Sequence, residues 1–71
     1  MEPVPVRCRI PEHLHRLGKN QQWLAEVTGI SKQRISEIVN LQKYNITITR
    51  AIIIAHHLRC SVDDLFVWGW R

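Results

Sequence analysis

NQQWLAEVTGISKQRISEIVN, residues 20–40, is the stretch on which the fold turns. Asn20 is a good N-cap, and Gln21 to Thr28 read as a short helix with Leu24, Ala25 and Val27/Thr28 toward one face. Gly29 ends that helix as a residue able to take positive φ does. Ile30 is an apolar plug in the turn, and Ser31 caps a second helix running to about Val39. There Ile35, Ile38 and Val39 point inward at i, i+3, i+4, and Lys32, Gln33, Arg34, Ser36 and Glu37 face out.

Two short helices, a tight glycine turn and a polar outer face on the second helix make a helix-turn-helix. The outward side chains suit base edges and phosphates, so the pattern implies double-stranded DNA as a partner. The formal net charge of +4 and sequence pI near 9.7 favour a polyanionic partner without identifying one. A charge of this size is also what solubility asks of a small domain.

A chain of 71 residues buries one core, so a single domain is expected. Its 45% hydrophobic content argues against disorder. No apolar run approaches the roughly 20 residues that span a bilayer, so no membrane partner is expected. The N-terminus MEPVPVRCRIPEH lacks a signal peptide's apolar region, which leads us to expect a cytoplasmic protein. The cysteines, Cys8 and Cys60, are expected reduced, with Cys60 buried as a small hydrophobe. His13, His15, His56 and His57 lack the i, i+4 spacing of a helical metal pair, and neither metal nor cofactor is expected.

Outside the central stretch, Met1 to Val6 contains Pro3 and Pro5, and residues 1–8 read as a flexible extended arm. A first helix begins near Arg9 or Ile10, with Pro11 in its first turn. Its apolar stripe is Ile10, Leu14 and Leu17, and Gly18 stops it. Residues 41–46, LQKYNI, form a polar loop. A fourth helix, capped by Thr47, runs through Leu58 with Ile48, Ala51, Ile52, Ala55 and Leu58 inward. Ser61 to Asp64 reads as a capping box that opens a short fifth helix around Leu65 and Phe66. The domain is then residues 9–66, followed by a Trp-rich tail, 67–71. The expected class is all-α, a compact five-helix domain.

Gln21, the Leu24-Ala25 pair, Gly29, Ile30-Ser31, Ile35, Ala55 with Leu58, and Ser61 through Phe66 carry a resemblance. From about Ile10 to Phe66 the chain resembles the Cro/repressor (XRE-like) class of helix-turn-helix regulators, with a lambda-repressor-like fold. The resemblance implies that the third helix enters the major groove, with Ser31, Lys32, Gln33, Arg34 and Glu37 as base-contacting candidates. Gln33 suits adenine and Lys32 or Arg34 suits guanine, while Arg34 could equally hold a phosphate. It also implies phosphate contacts by Asn20 and Gln21 at the start of the second helix, and by Asn40, Lys43, Tyr44 and Asn45 after the third.

Three departures from the family pattern matter. Where many members pair an Arg in the first helix with a Glu near the end of the third, Leu14 and Val39 stand here, and we expect them to touch in the core. The usual glycine after the fourth helix is Arg59. The usual Glu before the Leu-Ala pair is Trp23, which is expected against Leu17 or the C-terminal tail, or else at an interface.

Repressors of this class commonly bind as dimers on palindromic operators. Val67, Trp68 and Trp70, with Ile53 or Ile54 exposed nearby, are the expected homodimer contact, and Ile53 is the favoured member of that pair. The leading expectation is therefore a dimeric DNA-binding transcriptional regulator, a phage or bacterial repressor. The competing one is a protein-interaction adaptor or antitoxin on the same fold, using Trp23 and the Trp-rich tail. Catalysis is not expected, for want of a triad, a carboxylate pair or a phosphate loop.

Overall fold

The computed structural model describes residues 1–71. In chain order it has strand β1 (Pro3–Cys8), helices α1 (Ile10–Leu17), α2 (Gln21–Thr28), α3 (Lys32–Val39) and α4 (Ile48–Leu58), a 3₁₀ turn (Val62–Leu65) and strand β2 (Phe66–Trp70). The four helices lie where capping and periodicity put them. Asn20, Ser31 and Thr47 accept from the backbone N–H three residues on, each satisfying an orphan donor of a first turn. Gly29 closes α2 at φ +74°, a conformation that costs a side-chain-bearing residue steric energy.

The all-α, five-helix expectation is corrected at both ends of the chain. Residues 1–8 are not a free arm: β1 pairs antiparallel with β2, from Pro3 opposite Trp70 to Cys8 opposite Phe66, with an irregularity between Pro5 and Arg7. Glu2 and Arg71 exchange two further main-chain bonds (2.6 and 2.8 Å), and Arg9 N–H donates to Leu65 O (2.8 Å). The extended conformation expected of the proline-bearing arm is present, but it is held by the tail. The expected fifth helix is the single 3₁₀ turn, and Phe66 is already in β2. Aromatic and β-branched residues in Phe66–Trp70 favour a pleated strand over a helix once a partner strand is there. Gly69 belongs to that pairing, since a Cβ on it would lie 3.0 Å from Val6 Cγ1.

Ile10, Leu24, Ile35, Ile38, Ile54, Leu58 and Leu65 are the largest fully buried side chains, so every helix and the 3₁₀ turn contribute to one core. The inward face of α4 is Ala51, Ile54, Ala55 and Leu58, whereas Ile48 (74%) and Ile52 (55%) are exposed. Ala51, Ala55 and Leu58 are inward as expected, and Ile54 takes the place expected of Ile48 and Ile52. Ile52 sits about 100° round the helix from Ala51, off the face packed by α1, α2 and the 3₁₀ turn. The buried cysteine is Cys8, and Cys60 is only half-buried. Burial pushes both thiols up from their ordinary pKa.

One polar group sits in the core. Arg16 Nη2 donates to Leu58 O (2.8 Å) and to His13 Nδ1 (3.1 Å), leaving His13 Nε2–H for Asp64 O (2.9 Å). Buried polar groups are tolerated when paired in this way. The network ties α1 to the end of α4 and to the 3₁₀ turn.

Candidate nucleic-acid interface

Gly29 and Ile30 set α3 against α2. Thr28 Oγ1 donates to Leu24 O (2.6 Å) and accepts from Ile30 N–H (3.2 Å), fixing the turn. Ile35 and Ile38 anchor α3 from below. Ser31, Lys32 and Gln33 are then exposed on its first turn. Lys32 has no carboxylate partner in the chain. The Ser31 hydroxyl accepts from Arg34 N–H (3.1 Å) and so serves the helix cap.

Arg34 and Glu37 are less free than their outward phase implied; both are half-buried. The Arg34 guanidinium forks onto the main chain of the following loop, donating through Nη1 to Lys43 O and through Nη2 to Asn45 O (3.0 Å). Glu37 accepts Gln42 N–H (2.8 Å) on its carbonyl, and its carboxylate lies 3.4 Å from Lys43 Nζ. Loop residues 41–46 carry no regular structure, and their main chain is held by the Arg34 guanidinium and the Glu37 carbonyl, with the Glu37 carboxylate on the Lys43 side chain. Leu41, at φ +58°, turns the chain out of the helix. This anchoring role was not visible in the sequence. A fork onto carbonyls leaves no periodicity, and its partners lie 9 and 11 residues away.

The remaining candidates fall in three places. Asn20 caps α2 with its side-chain oxygen on Trp23 N–H (2.9 Å), and Gln21 beside it is half-buried. Asn40 donates to Ser36 Oγ (3.3 Å) at the end of α3. Lys43 and Asn45 are exposed on the loop, while Tyr44 is half-buried against the core. Ile53 and Val67 are half-buried, and Trp68 (48%) and Trp70 (70%) are exposed at the far end of the sheet. Trp23 is half-buried and lines a small pocket with Leu17, one of its two expected neighbours, with Lys19 Nζ 5.4 Å from its ring centroid and the His57 ring edge-on at 6.5 Å.

A short helix cradling a second, exposed one across a glycine turn defines this chain as a helix-turn-helix domain. The helix-turn-helix family model matches residues 14–65, and the chain belongs to that family, of the Cro/repressor (XRE) DNA-binding type. It is similar to the SPbeta prophage-derived uncharacterized HTH-type transcriptional regulator YotL of Bacillus subtilis (strain 168), at 37% identity over 67 residues, 94% of this chain and 84% of the relative. It is also similar to the SPbeta prophage-derived uncharacterized HTH-type transcriptional regulator YopS of the same organism, at 38% identity over 60 residues, 84% of this chain and 81% of the relative.

Proposed function

We propose that this protein is a DNA-binding transcriptional regulator, a repressor of phage or bacterial genes, that inserts α3 into the major groove of a palindromic operator as a homodimer. The observation that carries the reading is the first turn of α3. Lys32 and Gln33 stand exposed and uncommitted on a helix whose other face is locked into the core. Gln33 offers a donor and an acceptor to adenine, and Lys32 donates to guanine. The names of both relatives support the regulator class.

Within this reading Arg34 and Glu37 take a second role. They hold the loop that carries Lys43 and Asn45 at a fixed distance from α3, so that phosphate contacts set the register in which Gln33 reads. Asn20 and Gln21 meet the backbone at the start of α2, where free N–H groups favour an anion, and Asn40 and Tyr44 flank the loop.

Selection of bound duplexes from a random-sequence library, with wild type and Gln33→Ala side by side, tests the proposal. The expected result is a palindromic motif whose preference relaxes at one position per half-site in the variant, by about 1–3 kcal/mol. Enrichment of no motif would turn the reading to the adaptor or antitoxin, with the tryptophans as its contacts.

A further inference from the structure

The two edges of the sheet differ in a way that decides what can add to it. Proline has no N–H, so Pro3 opposite Trp70 and Pro5 opposite Trp68 are non-hydrogen-bonded pairs, and these residues turn their main-chain groups to the outside. The bonds exchanged by Glu2 and Arg71 fix the same alternation. The outer edge of β1 therefore lacks donors at residues 3 and 5 and is closed to strand addition. The outer edge of β2 presents N–H and C=O of Trp68 and Trp70. Neither residue's main chain takes part in a bond outside the sheet.

Against the sheet lies an apolar groove of about 320 Å³, lined among others by Pro3 of β1, Tyr44, Ile46, Ile48 and Trp68 of β2. Ile48, which lines it, and Ile52 one turn on are both exposed on α4. Phe66–Trp70 contains no charged side chain, so an antiparallel copy meets no like-charge repulsion.

We propose that the β2 edge is a strand-addition site whose occupant is the β2 of a second copy of this chain, joining two sheets into one of four strands. It rests on the homodimer proposed above and names its contact. An antiparallel register that opposes Trp68 of one copy to Trp70 of the other makes both pairs hydrogen-bonded. It stacks the four indoles on one face as cross-strand aromatic pairs. Because β1 closes each outer edge with prolines, the assembly stops at two copies instead of growing into a fibre, which argues for self-pairing over a foreign strand. At roughly 250 Å² per indole side chain, the exposed parts of Trp68 and Trp70 from two copies supply up to about 600 Å² of apolar surface, to which the paired main chain adds. The groove shares Tyr44 and Asn45 with the loop that follows α3, so association here lies next to the DNA-facing loop.

Residue-resolved amide exchange on the full chain, at a dilute and a concentrated condition and alongside the solution mass, tests this. The outward amides of Trp68 and Trp70 should exchange about tenfold more slowly when concentrated, one added hydrogen bond each. Those of Val67 and Gly69, already facing β1, should not change. Pro3→Val combined with Pro5→Val opens the second edge and should yield species larger than a dimer, and Trp68→Pro should be monomeric at concentrations where Trp68→Val still pairs. A dimer whose Trp68 and Trp70 amides exchange independently of concentration overturns the strand pairing and leaves the homodimer standing. A monomer at every concentration, also on operator DNA, overturns both.

Discussion

Replacing Arg34 separates a base reader from a loop anchor. In the structure its guanidinium donates to two loop carbonyls, those of Lys43 and Asn45. A hydrogen bond to a charged group contributes about 1.5–3 kcal/mol when well shielded, and solvent screening at this half-buried position reduces the pair to about 1–2 kcal/mol in total. For a domain of this size that lowers the melting temperature of Arg34→Ala by roughly 7–14 °C in a thermal scan. Arg34→Lys should recover little of it, because an ammonium cannot fork onto two carbonyls. On DNA, freeing the loop loosens Lys43 and Asn45 together. Affinity should fall by a similar factor on every sequence, and the slope of log Kd against log salt should shrink by about one phosphate contact. Binding to a panel of single-substitution operators at two salt concentrations measures both. If Arg34→Ala keeps the wild-type melting temperature and loses discrimination at a single base pair, Arg34 reads a base and the anchor argument is wrong.

Three other outcomes follow from the same structure. Leu14 is buried and Val39 is half-buried against the core, so Val39→Glu should cost about 2–3 kcal/mol in urea unfolding, the low end for an unpaired charge at a partly shielded site, and Leu14→Arg added to it should restore part; no restoration would mean that the two positions do not touch. Arg59 holds a left-handed C-cap at φ +57°, so Arg59→Gly should stabilise by about 0.5–1 kcal/mol, and a lower melting temperature would show that the side chain contributes more than its backbone strain costs. The Ser61 hydroxyl (2.9 Å) and N–H (3.3 Å) donate to Asp64 and hold its carboxyl below the usual 3.8. Its contribution is therefore complete above that value and is lost as pH falls through the lower folded value, and an acid titration of Asp64→Asn should lack this component.

The helical half of the molecule was legible because its signals are local. Asn20, Ser31 and Thr47 cap within three residues, Gly18 and Gly29 stop helices by their own φ, and Ile35 with Ile38 repeat at helical spacing. A resemblance spread over Ile10 to Phe66 tied these pieces into one arrangement. Where a local pattern was ambiguous, as between Ile52 and Ile54 in α4, the sequence offered two phases of similar hydrophobicity, and packing by α1, α2 and the 3₁₀ turn chose one.

Residues Lys32 and Gln33 on the first turn of α3 could be named from the sequence, since helix phase turns them outward and no other segment covers them. That Arg34 and Glu37 grip the loop, that His13 is a paired core residue, and that Cys8 rather than Cys60 is buried were decided by the tertiary structure. So was the sheet. Pro3 to Cys8 and Phe66 to Trp70 lie at opposite ends of the chain, and each by itself is only extended or aromatic. A strand exists when its N–H and C=O groups find partners, and here those partners lie some sixty residues away, brought within reach by the folded helices between them.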